Sequence, residues 1–322
     1  MKVIAALLLA GLVGVTVPPS NAPALGDGFL NPPLGLFGSI GPGGGADLMI
    51  RTLADQLSSQ FGQPVIVENR PGGDGVVAAQ ALLGAPADGY TMSIVSTGIT
   101  VINPILIPSL PFRTSDFQPL VGMGRLASVF AVPADSKATS FKALMDSARA
   151  APGTVTMGTY GPVTKIPCQI IERKLGAKFN HVSYKGPSQM LADLTGGNID
   201  AAFFDAGIVA PMVRTGKLKA LVISSRERLP LLPDVPTLRE AGITDFDPPI
   251  WNGVAVRAGT PEPVARKLEA ALQQAMKSAA WKDLLARLGN VEPWPVGSAE
   301  LARTFAVDGE FYRKELAAAG LQ

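Results

Sequence analysis

Residues 41–47 read Gly41-Pro42-Gly43-Gly44-Gly45-Ala46-Asp47 and lead directly into a segment with helical periodicity. Apolar residues recur at the spacing of one helical face over 50–61, and Gly62 ends the pattern. Glycines let a ligand approach the backbone, and the first amides of a helix lack partners within it and carry partial positive charge. We therefore predict that an anion is bound by Gly41, Pro42, Gly43, Gly44 and Gly45. The loop leaves the identity of the anion open.

Asp47 falls in or just before the first turn of that helix. A carboxylate there satisfies free amides and complements the helix dipole, and this capping role is the one we expect. Its charge would also repel an anion placed on the same amides. Asp47 is nevertheless a candidate site residue, on the expectation that water, or lateral contact through Gly43–Gly45, mediates binding.

The length and composition of the chain indicate an exported protein of two domains. It has 322 residues, 47% of them hydrophobic, which is more than one core usually organises. Residues 1–24 show a secretory signal pattern, in which Lys2 precedes an uncharged apolar run over 3–17 and a small-residue stretch. The run is shorter than the roughly 20 residues of a spanning helix. We expect a soluble periplasmic protein; an uncleaved anchor or a first core helix is the alternative, and Pro18 with Pro19 disfavours the helix.

Residue usage excludes several classes of function. Basic and acidic residues number 28 and 26 and are spread along the chain, so nucleic acid is not an expected partner. The single cysteine, Cys168, excludes an internal disulfide, and its apolar neighbours predict a buried thiol. The single histidine, His181, excludes a histidine-based zinc site and would have to serve any serine triad. We predict no catalytic residue, metal or cofactor, although carboxylates paired in space stay open.

Short apolar runs alternate with helical patterns, which predicts an α/β architecture with largely parallel sheets. Strands are predicted at 64–67, 90–95, 126–132, 155–158, 199–204 and 250–256. Helices are predicted at 76–83, after a Ser140 cap, at 188–195, after a Thr260 cap, and with Pro167 in the first turn of a further helix. Paired crossover strands are expected to join two lobes. The predicted division is lobe I at 25–125 and 252–322, and lobe II at 126–251.

Polar residues of lobe II are expected at the ligand cleft, because ligands of open α/β sheets bind beyond the carboxyl ends of strands. One turn supplies hydroxyls and a cation beside helix-start amides, through Thr159, Tyr160, Gly161, Thr164 and Lys165. For Lys165, a solvated surface position is an equal alternative.

Two further candidates lie at the ends of predicted strands in lobe II. Tyr184 could contribute to the same pocket, although a tyrosine at a strand end is more often part of the packing. Asp205, if buried at the cleft, would favour ligands that carry an amine or a hydroxyl. Its alternative role is to cap the next turn.

A dinucleotide-binding enzyme is the main alternative to a binding protein. Residues 41–46 match a lone G-x-G-x-x-A pattern, and Glu68 ends the next strand at a suitable separation. Against an NAD-dependent oxidoreductase stand Pro42 in the turn, Asp47 where pyrophosphate charge would gather, and the export signal. A P-loop is excluded, since no Lys-Ser/Thr pair follows the glycines.

A series of motifs spans nearly the whole mature length. They are Pro42-Gly43-Gly44-Gly45-Ala46-Asp47, Glu68-Asn69-Arg70-Pro71-Gly72, Pro86-Ala87-Asp88-Gly89-Tyr90-Thr91, Ile102-Asn103-Pro104, Asp116-Phe117-x-Pro119, His181-Val182-Ser183-Tyr184-Lys185-Gly186, Gly196-Gly197-Asn198-Ile199-Asp200, Leu232-Pro233-Asp234-Val235-Pro236-Thr237, Glu240-Ala241-Gly242, Trp251-x-Gly253 and Gly259-Thr260-Pro261. In this order and spacing they resemble those of the substrate-receptor family of tripartite tricarboxylate transporters, the Bug-type periplasmic binding proteins.

The resemblance implies a type II periplasmic-binding-protein fold, whose two lobes close around a small organic carboxylate, and delivery of that ligand to a membrane permease. It also implies that the loop matching Gly43–Gly45 holds one carboxylate, partly through water. Turns matching Thr97-Gly98 and 159–164 would complete the pocket, with Asp205 at the variable end that selects among ligands. We expect the receptor to act as a monomer.

Two departures from the family pattern bear on these expectations. Residues 34–40 contain two glycines where the first strand is usually a continuous apolar run, which predicts a weak edge strand. Tyr160, Pro162 and Lys165 add bulk and charge to a turn that is usually built of small residues. Specificity can therefore differ from that of a typical member.

Overall fold

The computed structural model describes residues 33–320 apart from 245, 247 and 249, and these form two α/β lobes. The signal peptide predicted at 1–24 lies outside the described residues. The strands are β1 (Leu34–Gly38), β2 (Val65–Asn69), β3 (Thr91–Ser96), β4 (Phe117–Leu126), β5 (Ser128–Pro133), β6 (Thr156–Tyr160), β7 (Asn180–Tyr184), β8 (Ala201–Asp205), β9 (Leu218–Ile223), β10 (Trp251–Arg257) and β11 (Val291–Pro293).

The helices flank the two sheets, and within the described residues none is both long and apolar enough to cross a lipid bilayer. They are α1 (Gly45–Phe61), α2 (Val76–Gly84), α3 (Asn103–Leu106), α4 (Phe141–Ala150), α5 (Gly161–Lys174), α6 (Pro187–Thr195), α7 (Ala206–Arg214), α8 (Glu262–Ala275), α9 (Ala279–Leu288) and α10 (Ser298–Ala318). One apolar cluster lies between the first sheet and α1, α8 and α9, and another lies on the second sheet under α6 and α7. A third runs through both lobes, with contributions from α2, α4, α5 and α10.

Both sheets are mixed, so the prediction of largely parallel sheets was wrong. The first sheet has the order β11-β4-β10-β3-β1-β2 and the second the order β7-β6-β8-β5-β9. Strand β1 runs parallel to β2 and β3, and β6 runs parallel to β7 and β8. Strands β10 and β5 are antiparallel to these sets, because each enters its sheet from the other lobe. An apolar run in a sequence does not reveal from which end its strand is entered.

Two crossovers connect the lobes side by side. The chain passes from β4 to β5 through Ala127, and it returns from β9 to β10 through 224–250. The Ser224 amide donates to the Ser128 carbonyl at 2.8 Å, and the Leu126 amide donates to the Ile250 carbonyl at 2.8 Å. The predicted crossover strands are therefore present as a hydrogen-bonded pair.

The register of the strands shows that each crossover enters its sheet at the edge where the parallel strands end. Ser128, which opens β5, is opposite Asp205, the last residue of β8. Asn252, near the start of β10, is opposite Ser96, the last residue of β3. The crossovers therefore join the carboxyl ends of the parallel strands in one lobe to the carboxyl ends of the parallel strands in the other.

Strand β1 lies inside the first sheet, between β3 and β2, so its prediction as a weak edge strand was wrong. Leu34 and Leu36 are completely buried. A Cβ on Gly38 would lie 2.8 Å from Ile50 Cδ1 and 3.0 Å from Asn69 Nδ2. The glycine that weakens the strand by propensity is thus needed for α1 and β2 to approach the end of β1.

Two helix starts differ from their predictions. Helix α5 begins at Gly161, whose φ of +58° turns the chain directly from β6 into the helix, so Pro162 occupies the first turn and Pro167 lies inside the helix. Helix α8 begins at Glu262, and the Thr260 hydroxyl donates back to the Arg257 carbonyl at 2.8 Å instead of capping the helix. The Ser140 cap of α4 is confirmed, since its hydroxyl oxygen accepts the Ala143 amide.

Replacing Gly38 with alanine tests the close approach of α1 to β1. Gly38→Ala is expected to lower the free energy of unfolding by about 1–3 kcal/mol, because the new methyl group overlaps the Ile50 and Asn69 side chains. Gly84→Ala is the control, since nothing lies within 4 Å of its added Cβ at the end of α2. It is expected to be neutral or to stabilise by up to about 1 kcal/mol. Equal urea-unfolding curves for the two variants would contradict the packing argument.

Candidate functional site

The carboxyl ends of the parallel strands in the two lobes face each other, and we call the region between them the gap. Two predicted glycines lie where the lobes contact. A Cβ on Gly98, just after β3, would lie 2.9 Å from Val163 Cγ1 on α5. A Cβ on Gly161 would lie 3.0 Å from an oxygen of the Asp74 carboxylate in the first lobe. Glycine at both positions lets the lobes approach, and the structure brings together the first-lobe and second-lobe turns that the sequence predicts.

Asp47 holds the glycine loop in place through a buried hydrogen-bond network. Its side chain is 2% exposed. One carboxylate oxygen accepts the Gly43 amide at 2.8 Å and Arg51 Nε at 2.9 Å, and the other accepts Asn69 Nδ2 at 2.7 Å. Asn69 also donates to the Ile40 carbonyl at 3.0 Å, which attaches the loop to the end of β2. Asp47 lies in the first turn of α1, as predicted, but it does not cap the helix, because its backbone partner is the amide of Gly43 in the loop.

The charged form of the Asp47 carboxyl is favoured in this setting. Burial alone raises the pKa of its carboxyl, but hydrogen bonds from Arg51, Gly43 and Asn69 outweigh that effect and hold the pKa below its usual value. The negative charge is therefore compensated by three donors. This reduces its repulsion of an anion near the start of α1, the conflict that the sequence left open.

The amides at the start of α1 differ in their availability. The Gly43 amide is engaged by Asp47, and Gly41 and Pro42 are exposed beside it. The first hydrogen bond of the helix runs from the Leu48 amide to the Gly44 carbonyl at 3.0 Å. The amides of Gly44, Gly45 and Ala46 consequently have no acceptor within the helix, which makes them the main-chain donors of this loop.

Thr97 is fully buried at the end of β3. Its hydroxyl oxygen accepts the Trp251 amide at 3.1 Å, so it links the end of β3 to the start of the returning strand β10. A ligand contact for Thr97 stays a prediction, and the structure gives it a role in joining the crossover to the first sheet.

The second-lobe turn is built around Thr164. Its hydroxyl accepts the Tyr160 amide at 2.9 Å and also donates to the Tyr160 carbonyl. Thr159, one residue earlier, is completely buried, and its hydroxyl has no hydrogen-bond partner among the described residues. Burial, followed by the nearby Asp205 charge, raises the pKa of Tyr160. Lys165 is partly buried on α5, and whether it contacts a ligand stays a prediction.

Tyr184 and Asp205 both have partners within the protein. The Tyr184 hydroxyl donates to Asp193 at 2.8 Å, and burial together with this bond raises the pKa of Tyr184 to about 12. The Asp205 carboxylate caps α7 by accepting the Gly207 amide at 2.7 Å, and it also accepts Asn290 Nδ2 of the first lobe at 2.7 Å. The alternative capping role of Asp205 is confirmed, while its role toward a ligand stays a prediction.

Some residues at the gap were missed by sequence reasoning. Arg51 and Asn69 orient Asp47, and Asn290 reaches Asp205 from the other lobe. Asp74 lies on the loop after β2, at the same carboxyl edge as the glycine loop. Its signal in the sequence is an acidic residue among the glycines of Gly72-Gly73-Asp74-Gly75, which open the helix predicted at 76–83.

Cys168 is buried in the apolar core, and His181 is paired with Glu172. Cys168 is completely buried, as predicted, and burial followed by the charge of Glu172 raises the pKa of its thiol well above the usual range. His181 Nε2 lies 2.5 Å from a carboxylate oxygen of Glu172. Among the described residues, no group of three or more His, Cys, Asp or Glu side chains is arranged to hold a metal ion.

A cavity of about 560 Å³ lies at the crossovers, against α10, and its lining includes Asn290, the partner of Asp205. Its charged lining includes Arg125, Arg226, Arg303, Glu292 and Glu300. It contains none of the predicted site residues. The cavity also lacks the feature that defines the gap, where helix starts follow the carboxyl ends of parallel strands, so we place the candidate site in the gap.

Comparison with known proteins identifies relatives in fold and sequence. The family model described as "Tripartite tricarboxylate transporter family receptor" matches residues 49–316. A UPF0065 protein of Bordetella pertussis is 32% identical over 306 residues, which cover 94% of each chain. The structure of R. palustris Rpa4515 with adipate matches with a TM-score of 0.82 at 25% identity, covering 91% of this chain and 98% of that one. MatC from Rhodopseudomonas palustris with bound malate matches with a TM-score of 0.74 at 26% identity, covering 90% and 98%. These matches confirm the predicted two-lobed binding-protein fold.

Removing the Asp47 carboxylate is expected to destabilise the protein. Asp47→Ala leaves the Gly43 amide, Arg51 and Asn69 without their shared acceptor, which costs on the order of 2–3 kcal/mol of unfolding free energy at neutral pH. Because the pKa of Asp47 is lowered, this contribution is present above the ordinary carboxyl range and is lost as the pH falls through the lowered value. The control is Asp55→Ala on the exposed face of α1, expected to change stability by less than about 0.5 kcal/mol. If urea unfolding shows that Asp47→Ala and Asp55→Ala lose the same unfolding free energy, the hydrogen-bond network of Asp47 does not stabilise the protein.

Asp205 is expected to make stability fall between about pH 4 and pH 6. Burial raises its pKa to about 6 although solvent reaches part of the side chain, so the folded protein binds more protons than the unfolded chain in that range. The stabilisation that the folded protein gains from protonated Asp205 is fully present below about pH 4 and is lost as the pH rises through about 6. Asp205→Asn keeps an oxygen for Gly207 and Asn290 without titrating. The unfolding free energy of the natural protein should therefore fall relative to this variant, by on the order of 1 kcal/mol after solvent screening. A constant difference from pH 4 to pH 7 would be incompatible with a raised pKa.

Proposed function

The chain belongs to the family of tripartite tricarboxylate transporter receptors, and from this membership we propose that it is a periplasmic receptor that binds a small organic carboxylate between its lobes. The family consists of solute-binding receptors. Two similar structures hold small carboxylates, adipate in Rpa4515 and malate in MatC. The ligand of this chain is accordingly an organic mono-, di- or tricarboxylate, and the receptor passes it to the membrane permease of a transporter.

The placement of two helix starts at the joined carboxyl edges of the two sheets supports the proposal. Helix α1 begins after β1 and helix α5 begins after β6, and the crossovers join the edges at which these strands end. Each helix start presents unpaired amides and partial positive charge. In the first lobe the donors are the amides of Gly44, Gly45 and Ala46. A carboxylate there gains charge-assisted hydrogen bonds without needing a cationic side chain.

We assign closure of the lobes on the ligand to the two crossovers, where the main chain passes from one lobe to the other. We assign the moving parts to 25–125 with 252–322 and to 126–251, which change their angle at the two crossovers. The protein acts as a monomer, because each chain carries both halves of its site. Export through the signal peptide at 1–24 places it where a solute receptor meets its ligand.

The contacts of the glycine loop favour a receptor over an NAD-dependent oxidoreductase. The Gly43 amide, which a pyrophosphate would require, is occupied by the Asp47 carboxylate. Glu68, the candidate partner of a ribose, is exposed and paired with Arg70 at 2.8 Å. The comparisons offer no support for the oxidoreductase.

A thermal-shift panel tests the proposed function. It contains adipate, malate, hydroxy and amino monocarboxylates, the amide of each acid, and NAD. At about 100 times its dissociation constant a bound acid adds roughly 2.7 kcal/mol of stability, whereas the amides lack the charge that the helix starts favour and should have little effect. Stabilisation by NAD alone would defeat the receptor proposal, and equal stabilisation by acid and amide would remove the role of the charge.

A further inference from the structure

Asp74 has an unusual backbone conformation at the edge of the gap. Among the described residues it is the one non-glycine residue with positive φ, at φ 53° and ψ 40°. Its carbonyl accepts Asn103 Nδ2 at 3.1 Å, and the adjacent Gly75 packs so closely that an added Cβ would lie 2.4 Å from Ile99 Cγ1. The first lobe therefore holds the Asp74 backbone firmly in a conformation that few residues adopt.

The Asp74 side chain reaches the start of α5 in the other lobe. One carboxylate oxygen lies 3.0 Å from the place that a Cβ on Gly161 would take. Gly161 is the first residue of α5, so the carboxylate lies beside the positive end of that helix. Solvent reaches Asp74, yet the surrounding protein desolvates the carboxyl enough to raise its pKa. Within the described part of the chain, no lysine, arginine or histidine forms an ion pair with it.

A ligand bound in the gap meets different chemistry at its two ends. The start of α1 offers the amides of Gly44 to Ala46 beside an Asp47 whose charge is compensated by three donors. The start of α5 is already approached by the Asp74 carboxylate. A ligand carboxylate at this second end would stand within a few Å of a like charge, and the two would repel each other.

A hydroxyl suits the second end better. It can donate a hydrogen bond to the Asp74 carboxylate and accept one from an amide at the start of α5. Thr159, fully buried just before α5, has a hydroxyl without a hydrogen-bond partner among the described residues. Because Thr159 is completely buried, the preference for a ligand hydroxyl rests on the Asp74 carboxylate and the amides at the start of α5.

We propose that Asp74 determines the ligand class of this receptor, on the premise of the proposed function. The ligand carries one carboxylate, bound at the start of α1, and a hydrogen-bond donor, preferably a hydroxyl, at the start of α5. Dicarboxylates whose second carboxylate reaches α5 are discriminated against by Asp74.

Matched ligands and a charge-removing variant test this assignment. Calorimetry compares unbranched α,ω-diacids of four to six carbons with the ω-hydroxy and ω-amino monoacids of the same length. In the natural protein the best hydroxy acid should bind at least about tenfold more tightly than its diacid, because the diacid brings a second charge to Asp74. Asp74→Asn keeps the shape of the side chain and tolerates the positive φ. It should shift the ratio of the two affinities by about tenfold or more toward the diacid.

Two further variants complete the experiment. Asp74→Gly adopts φ 53° without strain, so it provides the same readout if the asparagine variant folds poorly. Asp135→Asn is the matched control, since Asp135 is exposed just after Pro133, at the end of β5 opposite to Ser128 and the gap. Its ligand preference should equal that of the natural protein.

The outcomes separate this inference from the proposed function. A natural protein that prefers the diacid, or a preference unchanged in both Asp74 variants, overturns the assignment of Asp74 and leaves the receptor function standing. Absence of binding by every carboxylate in every variant overturns the receptor function, and the assignment of Asp74 with it.

Discussion

The connection of β4 to β5 through the single residue Ala127 constrains the whole molecule. Such a short link keeps the end of β4 beside the start of β5, and the returning crossover is hydrogen-bonded to it through Ser224 and Ser128. Since β5 starts opposite the last residue of β8 and β10 starts opposite the end of β3, the carboxyl edges of the two sheets are held next to each other. This register determines which loops face each other across the gap, because the loops that follow the parallel strands leave the sheets at these two edges.

The polar side chains at this edge mainly organise the backbone. Asp47 secures the glycine loop, Thr97 joins β3 to the returning strand, Thr164 closes the turn before α5, and Asp205 caps α7. A side chain with internal partners presents the main chain in a fixed conformation. In the proposed receptor, recognition of a carboxylate therefore falls mostly to main-chain amides, and the side chains determine where these amides point.

The two ends of the gap differ in charge although both are helix starts. At α1 the single carboxylate is compensated by Gly43, Arg51 and Asn69. At α5 the Asp74 carboxylate approaches from the opposite lobe, and the acidic Asp205 lies at the end of the neighbouring strand β8. A pocket with this polarity distinguishes the two ends of an elongated ligand, which a symmetric pair of anion sites would not do.

The sequence by itself determined the alternation of strands and helices, the glycine loop and its helix, the cap Ser140, the capping role open to Asp205, and the family through its ordered motifs, whereas strands β4, β9 and β11 were not predicted. These depend on local propensity, on periodicity and on residues a few positions apart. Only the tertiary structure decided the direction of β5 and β10, the interior place of β1, the partners Asn69 and Asn290, and the approach of Asp74 to Gly161. These contacts join residues that are distant in the chain, and their geometry depends on register and crossover position, which composition and periodicity do not encode.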